Sequence, residues 1–228
     1  DIANMVEILQ SLGADVQWDP NEHRMRVHAA ELTTTAVPPH LVEKMRASFL
    51  VSGPLLARYH KFDITTPGGC QLGARPVDVD VRGFRRMGAN VDFSAQTVSA
   101  SANTLRGARI FMDYPSHTGT ENLLMAATLA EGKMTIVNAS CEPEIIALGA
   151  MLNRMGARIS GLGSPMIVVE GVDKLHGVSE SILPDRLEAG LYAIGAVITQ
   201  GEVVIENIKR HYVGDAKKLP SIVRAVRE

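Results

Sequence analysis

Cys70 stands on a stretch that holds Gly68, Gly69 and Gly73, follows Pro67, and reaches an arginine, Arg75, five residues later. Neither a helix nor a central strand suits it, because glycine carries a high backbone entropy cost and proline lacks a donor. The thiol therefore belongs to a loop. There it can give up a proton or, as thiolate, attack an electrophile. Arg75 keeps its charge and favours the thiolate, or an anionic substrate beside it, if the loop folds back. Placement alone leaves a second reading open, in which Cys70 is a small buried hydrophobe.

Other candidates sit where helices begin. Arg46 precedes an apolar helix opened by Ala47 and Ser48, where an anion would meet both a guanidinium fork and N-terminal amides. The run Arg75, Pro76, Val77, Asp78, Val79 reads as a helix start, with Pro76 in the first turn and Asp78 favourable to the dipole, and equally as a ligand-contacting segment. Ser116, His117, Thr118 and Gly119 lead into another helix and offer hydroxyls and amides to an anion, or a plain cap. Asp185 caps a fourth start, followed by Arg186 and Glu188. Cys141, before Glu142-Pro143-Glu144, reads as structural.

The elements that carry these residues repeat. Met5, Ile8, Leu9 and Leu12 run into Gly13-Ala14; Val77, Val81, Phe84 and Met87 into Gly88-Ala89; Ile145, Leu148, Leu152 and Met155 into Gly156-Ala157. Each pattern predicts an amphipathic helix ending at a glycine and followed by two short strands, such as those around 24–28, 97–100 and 167–170. A second set interleaves: apolar helices over 48–58, 120–130 and 187–199, each followed by a strand over 62–65, 134–137 and 203–206. The glycines recur after 75 and then 68 residues, so one unit is about 70 residues of alternating strand and helix. The stretch 219–227 reads as the opening helix of a further copy. Helices as apolar as Leu123-Leu124-Met125-Ala126-Ala127 and Ala193-Ile194-Gly195-Ala196-Val197-Ile198 have almost no polar face, which predicts helices inside and sheets outside.

Composition narrows the class. Of 228 residues, 46% are apolar and only 4% aromatic, which supports sizeable aliphatic cores in one large or two small domains. A net charge of −2 excludes the lysine and arginine excess of a nucleic-acid footprint. No run approaches the roughly 18 apolar residues of a membrane span, and no signal peptide opens the chain, so cytoplasm is expected. Two cysteines cannot build a disulfide framework or a four-ligand zinc site, and reduced thiols without a structural metal are expected. Nothing in the sequence sets an oligomeric state.

Pro67 to Val79, PGGCQLGARPVDV, resembles the catalytic loop of the UDP-N-acetylglucosamine enolpyruvyl transferase family of peptidoglycan synthesis. The likeness extends to Met45-Arg46-Ala47-Ser48, to Thr120 through Ala127 with Ala130-Glu131-Gly132, and to Pro184 through Gly190, in family order over nearly the whole chain. It implies an α/β fold of two inside-out barrels, each of three βαβαββ units with central helices. By this likeness residues 1–183 are the first barrel without its start, and 184–228 the beginning of the second. The absent parts would supply a substrate-binding lysine and asparagine and an aspartate base, so the piece alone is expected to be inactive.

The resemblance also implies a reaction, transfer of the enolpyruvyl group of phosphoenolpyruvate to the 3-hydroxyl of UDP-N-acetylglucosamine with release of phosphate, and no cofactor. Cys70 would deliver a proton to the methylene carbon and be the point of alkylation by the epoxide fosfomycin. Arg46 and Arg75 would bind the substrate anions, Arg75 to Val79 would wrap the uracil, Ser116 to Gly119 would meet the diphosphate, and Asp185 and Arg186 would contact substrate. The family usually has Val-Gly where this chain has His117-Thr118, and a charged His117 could partly substitute for close backbone approach. Two alternatives stand beside this reading: the 3-phosphoshikimate enolpyruvyl transferase, whose family lacks the Gly-Gly-Cys and RPVD features, and a non-catalytic UDP-sugar-binding protein.

Overall fold

The computed structural model describes residues 1–66, 77–94 and 96–206, and the backbone of 223–226. Cys70, Arg75 and Pro76 lie outside the described residues. The chain divides into two compact units, Asp1–Val178 and Ser179–Glu228. Along the first run α1 (Ile2–Ser11), β1 (Asp15–Asp19), β2 (Arg24–His28), α2 (Pro39–Val42), a 3-10 turn (Arg46–Val51), α3 (Ser52–Tyr59), β3 (Lys61–Thr65), α4 (Asp78–Arg86), β4 (Asn90–Ser94), β5 (Thr97–Ser101) and β6 (Arg109–Phe111). It continues with α5 (His117–Ala127), β7 (Lys133–Val137), α6 (Pro143–Arg154), β8 (Arg158–Ser160) and β9 (Met166–Glu170). The second unit holds α7 (Arg186–Thr199), β10 (Val203–Glu206) and β11 (Val223–Val226).

The repeat is physical as well as sequential. α1, α4 and α6 each end in a glycine at positive φ, Gly13 at 100°, Gly88 at 93° and Gly156 at 102°. In each, the N–H of the following alanine donates back to the carbonyl of Leu9, Phe84 or Leu152 at 3.0 Å, the six-to-one bond of a Schellman cap. The chain then returns to the same helix end: Thr33, Arg106 and His176 donate N–H groups at 2.9 Å to the carbonyls of Leu12, Met87 and Met155. Three turns with one hydrogen-bond pattern make the unit legible from its glycines.

Sheets carry the outer surface. β6-β7-β9-β8 is parallel between its first two strands and antiparallel beyond, and β3-β5-β4 is antiparallel with Ala36 bridging Asp63 in parallel where β6 stands in the other sheet. Strand alternation buries Phe62 and Ile64 of β3 and Met134 and Ile136 of β7, and leaves Lys61, Asp63 and Lys133 outside. α5 lies within, with Gly119, Thr120, Asn122, Leu123, Leu124, Ala126 and Ala127 all buried. Small residues let helices approach it: an added Cβ on Gly83 of α4 would strike Leu123, and one on Gly53 of α3 would sit 2.5 Å from the Asn122 carbonyl oxygen. Phe62 links the layers, edge-on to Phe49 at 6.0 Å and to Phe84 at 5.8 Å between ring centroids.

Three expectations need correction. The apolar helix expected over 48–58 opens earlier, as the 3-10 turn from Arg46, because Ser48 is fully buried and its hydroxyl donates to the carbonyls of Val42 and Met45 at 3.1 and 2.6 Å. The helix expected over 219–227 is a strand where it is described: Val223–Val226 pairs in parallel with β10, as the β-branched valines of Val-Arg-Ala-Val favour. α7 is not buried all round. Ala189, Ala193 and Ala196 are covered, while Leu191 and Ile198 are 68% and 75% exposed, with β10 and β11 packed on the helix.

Gly53→Ala should destabilise the protein by about 1–3 kcal/mol despite alanine's better helix propensity, because a backbone carbonyl cannot yield to the new methyl group. Thermal unfolding of the variant against wild type measures it.

Candidate active site

The predicted residues that are described in the first unit gather at three neighbouring helix starts. Arg46 opens the 3-10 turn, with the extended, buried Met45 before it. Val77 and Val79 are buried at the start of α4, and Asp78 between them is half-exposed. Ser116 caps α5, its Oγ accepting the Gly119 N–H at 3.1 Å, so the capping role weighed for it is realised. An added Cβ on Gly119 would come 2.7 Å from Val79 Cγ1, which places the α4 and α5 starts in direct contact. Arg82 ties the two segments from outside, pairing with Asp78 at 2.9 Å and with Asp113 in the approach to α5.

Asp78 has one buried carboxylate oxygen, Oδ1, without a hydrogen-bond partner among the described residues, while Oδ2 is held by Arg82. A buried, unpaired acceptor is a costly feature that a ligand N–H would relieve.

His117 faces carboxylates. Its Nδ1 lies 3.4 Å from Glu121 and its Nε2 3.7 Å from Glu144, at the first turn of α6. Glu121 raises the imidazole above the ordinary histidine range chiefly by hydrogen bonding, with Glu142 and Glu144 adding to the shift and burial opposing it. The charged form is thereby favoured, and the stabilisation it brings is complete below the usual histidine pKa and fades as pH rises through the raised one. Thr118 is half-buried beside it. Asp185 caps α7 in the second unit, Oδ1 accepting the N–H groups of Leu187 and Glu188 at 2.8 and 3.0 Å, with Arg186 next to it. Cys141 is a free, exposed thiol whose Sγ lies 3.6 Å from the Ala139 carbonyl. No group of three or more His, Cys, Asp or Glu among the described residues could hold a metal ion.

Beneath the three helix starts lies a buried polar group that the sequence reading missed. Asn122 of α5 donates from Nδ2 to Asp80 Oδ1 at 2.7 Å and to the Phe49 carbonyl of the 3-10 turn at 3.3 Å, and accepts the Gly53 N–H of α3 at 3.1 Å. One amide thus binds three other segments. The signal was present: Asp80 stands three residues after Val77 and four before Phe84, on the apolar stripe of α4.

The fold matches those of solved enolpyruvyl transferases. The chain is similar to the enolpyruvyl transferase NikO from Streptomyces tendae (TM-score 0.73, 20% identity, 84% of this chain and 45% of that one). It is also similar to EPSP synthase from Acinetobacter baumannii (TM-score 0.65, 21% identity, 86% and 44%). In sequence, residues 1–227 match the family described as EPSP synthase (3-phosphoshikimate 1-carboxyvinyltransferase). The chain belongs to the EPSP synthase family. Within this family it is 48% identical over 208 residues to UDP-N-acetylglucosamine 1-carboxyvinyltransferase 2 of Carboxydothermus hydrogenoformans, covering 91% of this chain and 49% of that protein. It is 46% identical over 207 residues to UDP-N-acetylglucosamine 1-carboxyvinyltransferase of Desulfatibacillum aliphaticivorans, with the same coverage. The chain spans about half the length of these curated relatives. The inside-out arrangement of helices and sheets that the repeat implied is the family's fold.

Burial pushes the Asp80 carboxyl up to about 6, against the hydrogen bond from Asn122 and the charge of Arg46, which pull it down, while Asp78 adds to the rise. The folded state therefore binds this proton more tightly than the unfolded chain, and the stability contribution falls as pH climbs from about 4 to about 6. Asp80→Asn should raise stability at neutral pH by on the order of 2–3 kcal/mol, with the difference vanishing towards about pH 4. Thermal melts across that range read both sign and window.

Proposed function

We propose that the enzyme to which these residues belong transfers the enolpyruvyl group of phosphoenolpyruvate to the 3-hydroxyl of UDP-N-acetylglucosamine and releases inorganic phosphate. This is the first committed step of peptidoglycan synthesis, and it proceeds in the cytoplasm without a cofactor. The observation that carries the reading is the 43–48% identity to relatives named UDP-N-acetylglucosamine 1-carboxyvinyltransferase.

The chemistry needs a proton delivered to the methylene carbon as the sugar oxygen bonds to the enol carbon, and then loss of phosphate and a methyl proton to restore the double bond. Cys70 is the donor in this reading, on a loop with Arg75 nearby to tune its thiol. As thiolate it is also the nucleophile that fosfomycin alkylates. Arg46 and Arg75 take the phosphate and carboxylate of phosphoenolpyruvate through guanidinium forks. Pro76, Val77, Asp78 and Val79 receive the uracil, and the unpaired Asp78 Oδ1 supports this, since it suits an imide N–H. Ser116, His117, Thr118 and Gly119 bring the positive end of the α5 dipole to the diphosphate. The His117 charge is already shared with Glu121 and Glu144, so the imidazole orders the loop more than it neutralises the nucleotide. Asp185 and Arg186 complete the substrate contacts.

With the complete enzyme, phosphate release from phosphoenolpyruvate should require UDP-N-acetylglucosamine, fall by about a hundredfold or more in Cys70→Ala, and stop after fosfomycin treatment of wild type only. Release with 3-phosphoshikimate instead would assign the other acceptor. UDP-sugar binding without release would make the protein a binding module.

A further inference from the structure

Arg82 of α4 directs its guanidinium at three acceptors on two chain segments. Nη2 donates to Asp78 Oδ2 at 2.9 Å, Nε donates to the Asp78 backbone carbonyl at 3.4 Å, and Nη1 donates to Asp113, 31 residues further along the chain. A planar fork of donors serves such a set, and a single ammonium would not. Asp113 stands three residues before Ser116, so this clasp joins the start of α4 to the approach to α5. All three side chains are about half-exposed, and ion pairs of that kind contribute little to stability. Their effect is orientation. The Asp78 side chain has few staggered wells, and the bond from Arg82 to Oδ2 selects one of them. In that well Oδ1 is buried and has no hydrogen-bond partner among the described residues, a costly state that a ligand donor would relieve. Arg82 and Asp113 also line, with Val79, a cleft of about 300 Å³, a volume that suits a small ligand.

We propose that Arg82 is a positioning residue that sets base specificity: clasped by Asp113, it holds Asp78 so that Oδ1 accepts the imide N–H of a uracil-type base. This rests on the transferase reading for the nucleotide and goes beyond it in assigning the choice of base to Arg82. The imide nitrogen of uracil carries a proton for the carboxylate, whereas the same ring position of cytosine is a lone pair that the carboxylate repels. Asp78 therefore discriminates between the two only while its free oxygen is held in place. Arg82 touches no reacting atom and acts through Asp78.

The test measures UDP and CDP binding to the complete enzyme by titration calorimetry, in wild type, Arg82→Gln, Asp78→Ala and the double variant. Glutamine suits the helix but cannot serve three acceptors. Wild type should bind UDP more tightly than CDP. Arg82→Gln should weaken UDP by about three- to tenfold, the loss expected when one well of about three is no longer selected, and CDP by less than about twofold, so that the preference narrows. With Asp78 already alanine, adding Arg82→Gln should change UDP affinity by less than about twofold, because the side chain it positions is gone. Equal affinity of wild type for the two nucleotides, equal weakening of both by Arg82→Gln, no weakening of UDP, or an Arg82 effect that persists beside Asp78→Ala would each overturn the proposal. If wild type binds neither nucleotide, the nucleotide reading fails and the proposal with it. If it binds UDP but releases no phosphate from phosphoenolpyruvate with UDP-N-acetylglucosamine, the transferase reading fails alone, and the UDP and CDP affinities still decide the role of Arg82.

Discussion

One side-chain amide inside an apolar helix bundle sets the constraint on which the site depends. Asn122 is buried on α5, and a buried amide left unsatisfied costs far more than a satisfied one contributes. Its three bonds, to Asp80, to the Phe49 carbonyl and from the Gly53 N–H, therefore admit few alternatives. Two of the bonds join α5 to segments that begin with candidate residues, Arg46 on the 3-10 turn and Val77 to Val79 before and within α4, and the third reaches α3; α5 itself begins with Ser116 to Gly119. Helix packing alone would allow these starts to slide by fractions of an ångström. A directional polar contact does not, and positioning at that scale is what binding and catalysis require.

The inside-out arrangement makes such a contact possible. Because sheets cover the outside, the helices can be apolar all round and can approach closely wherever glycine replaces a side chain, as Gly53, Gly83 and Gly119 do. Close approach brings helix N-termini together at one end, where their amides and dipoles favour anions. Arg46 adds a fixed charge to that end. The same closeness makes any polar side chain on the inner faces expensive, and buried groups such as Asp80, Ser48, Thr120 and Asn122 mark places where hydrogen bonding fixes geometry.

How much of this the sequence disclosed follows from the range of each interaction. The Gly-Ala turns at Gly13, Gly88 and Gly156 were legible because a helix end in the left-handed region is a local matter of one residue type. The buried character of α5 was legible because its apolar run leaves no polar face. The caps at Ser116 and Asp185 were readable as caps for the same local reason, whereas their part in binding was not. The 3-10 start at Arg46 escaped because it depends on a buried Ser48 hydroxyl bonding to Val42 and Met45, which no periodicity announces. β11 pairs with β10 across a long stretch of chain, and α7 shows apolar faces whose covering is a tertiary fact. Asp80 was visible as a charged residue on an apolar stripe, but its hydrogen-bond partner, Asn122, comes from a helix 42 residues after it. Cys70, Arg75 and Pro76 remain known from sequence pattern alone.

The three helix starts behave as one body because Asn122 joins them. Amide hydrogen exchange in the complete protein carrying Asn122→Leu, compared with wild type, tests it most directly, since the outer strands β6 to β9 provide an internal reference for global stability. Exchange should accelerate together at the Arg46–Val51 turn with Gly53, at the start of α4 and at the start of α5, while β7 and β9 keep their protection relative to one another. Faster exchange confined to α5, with the turn at Arg46 and the start of α4 unchanged, would contradict it.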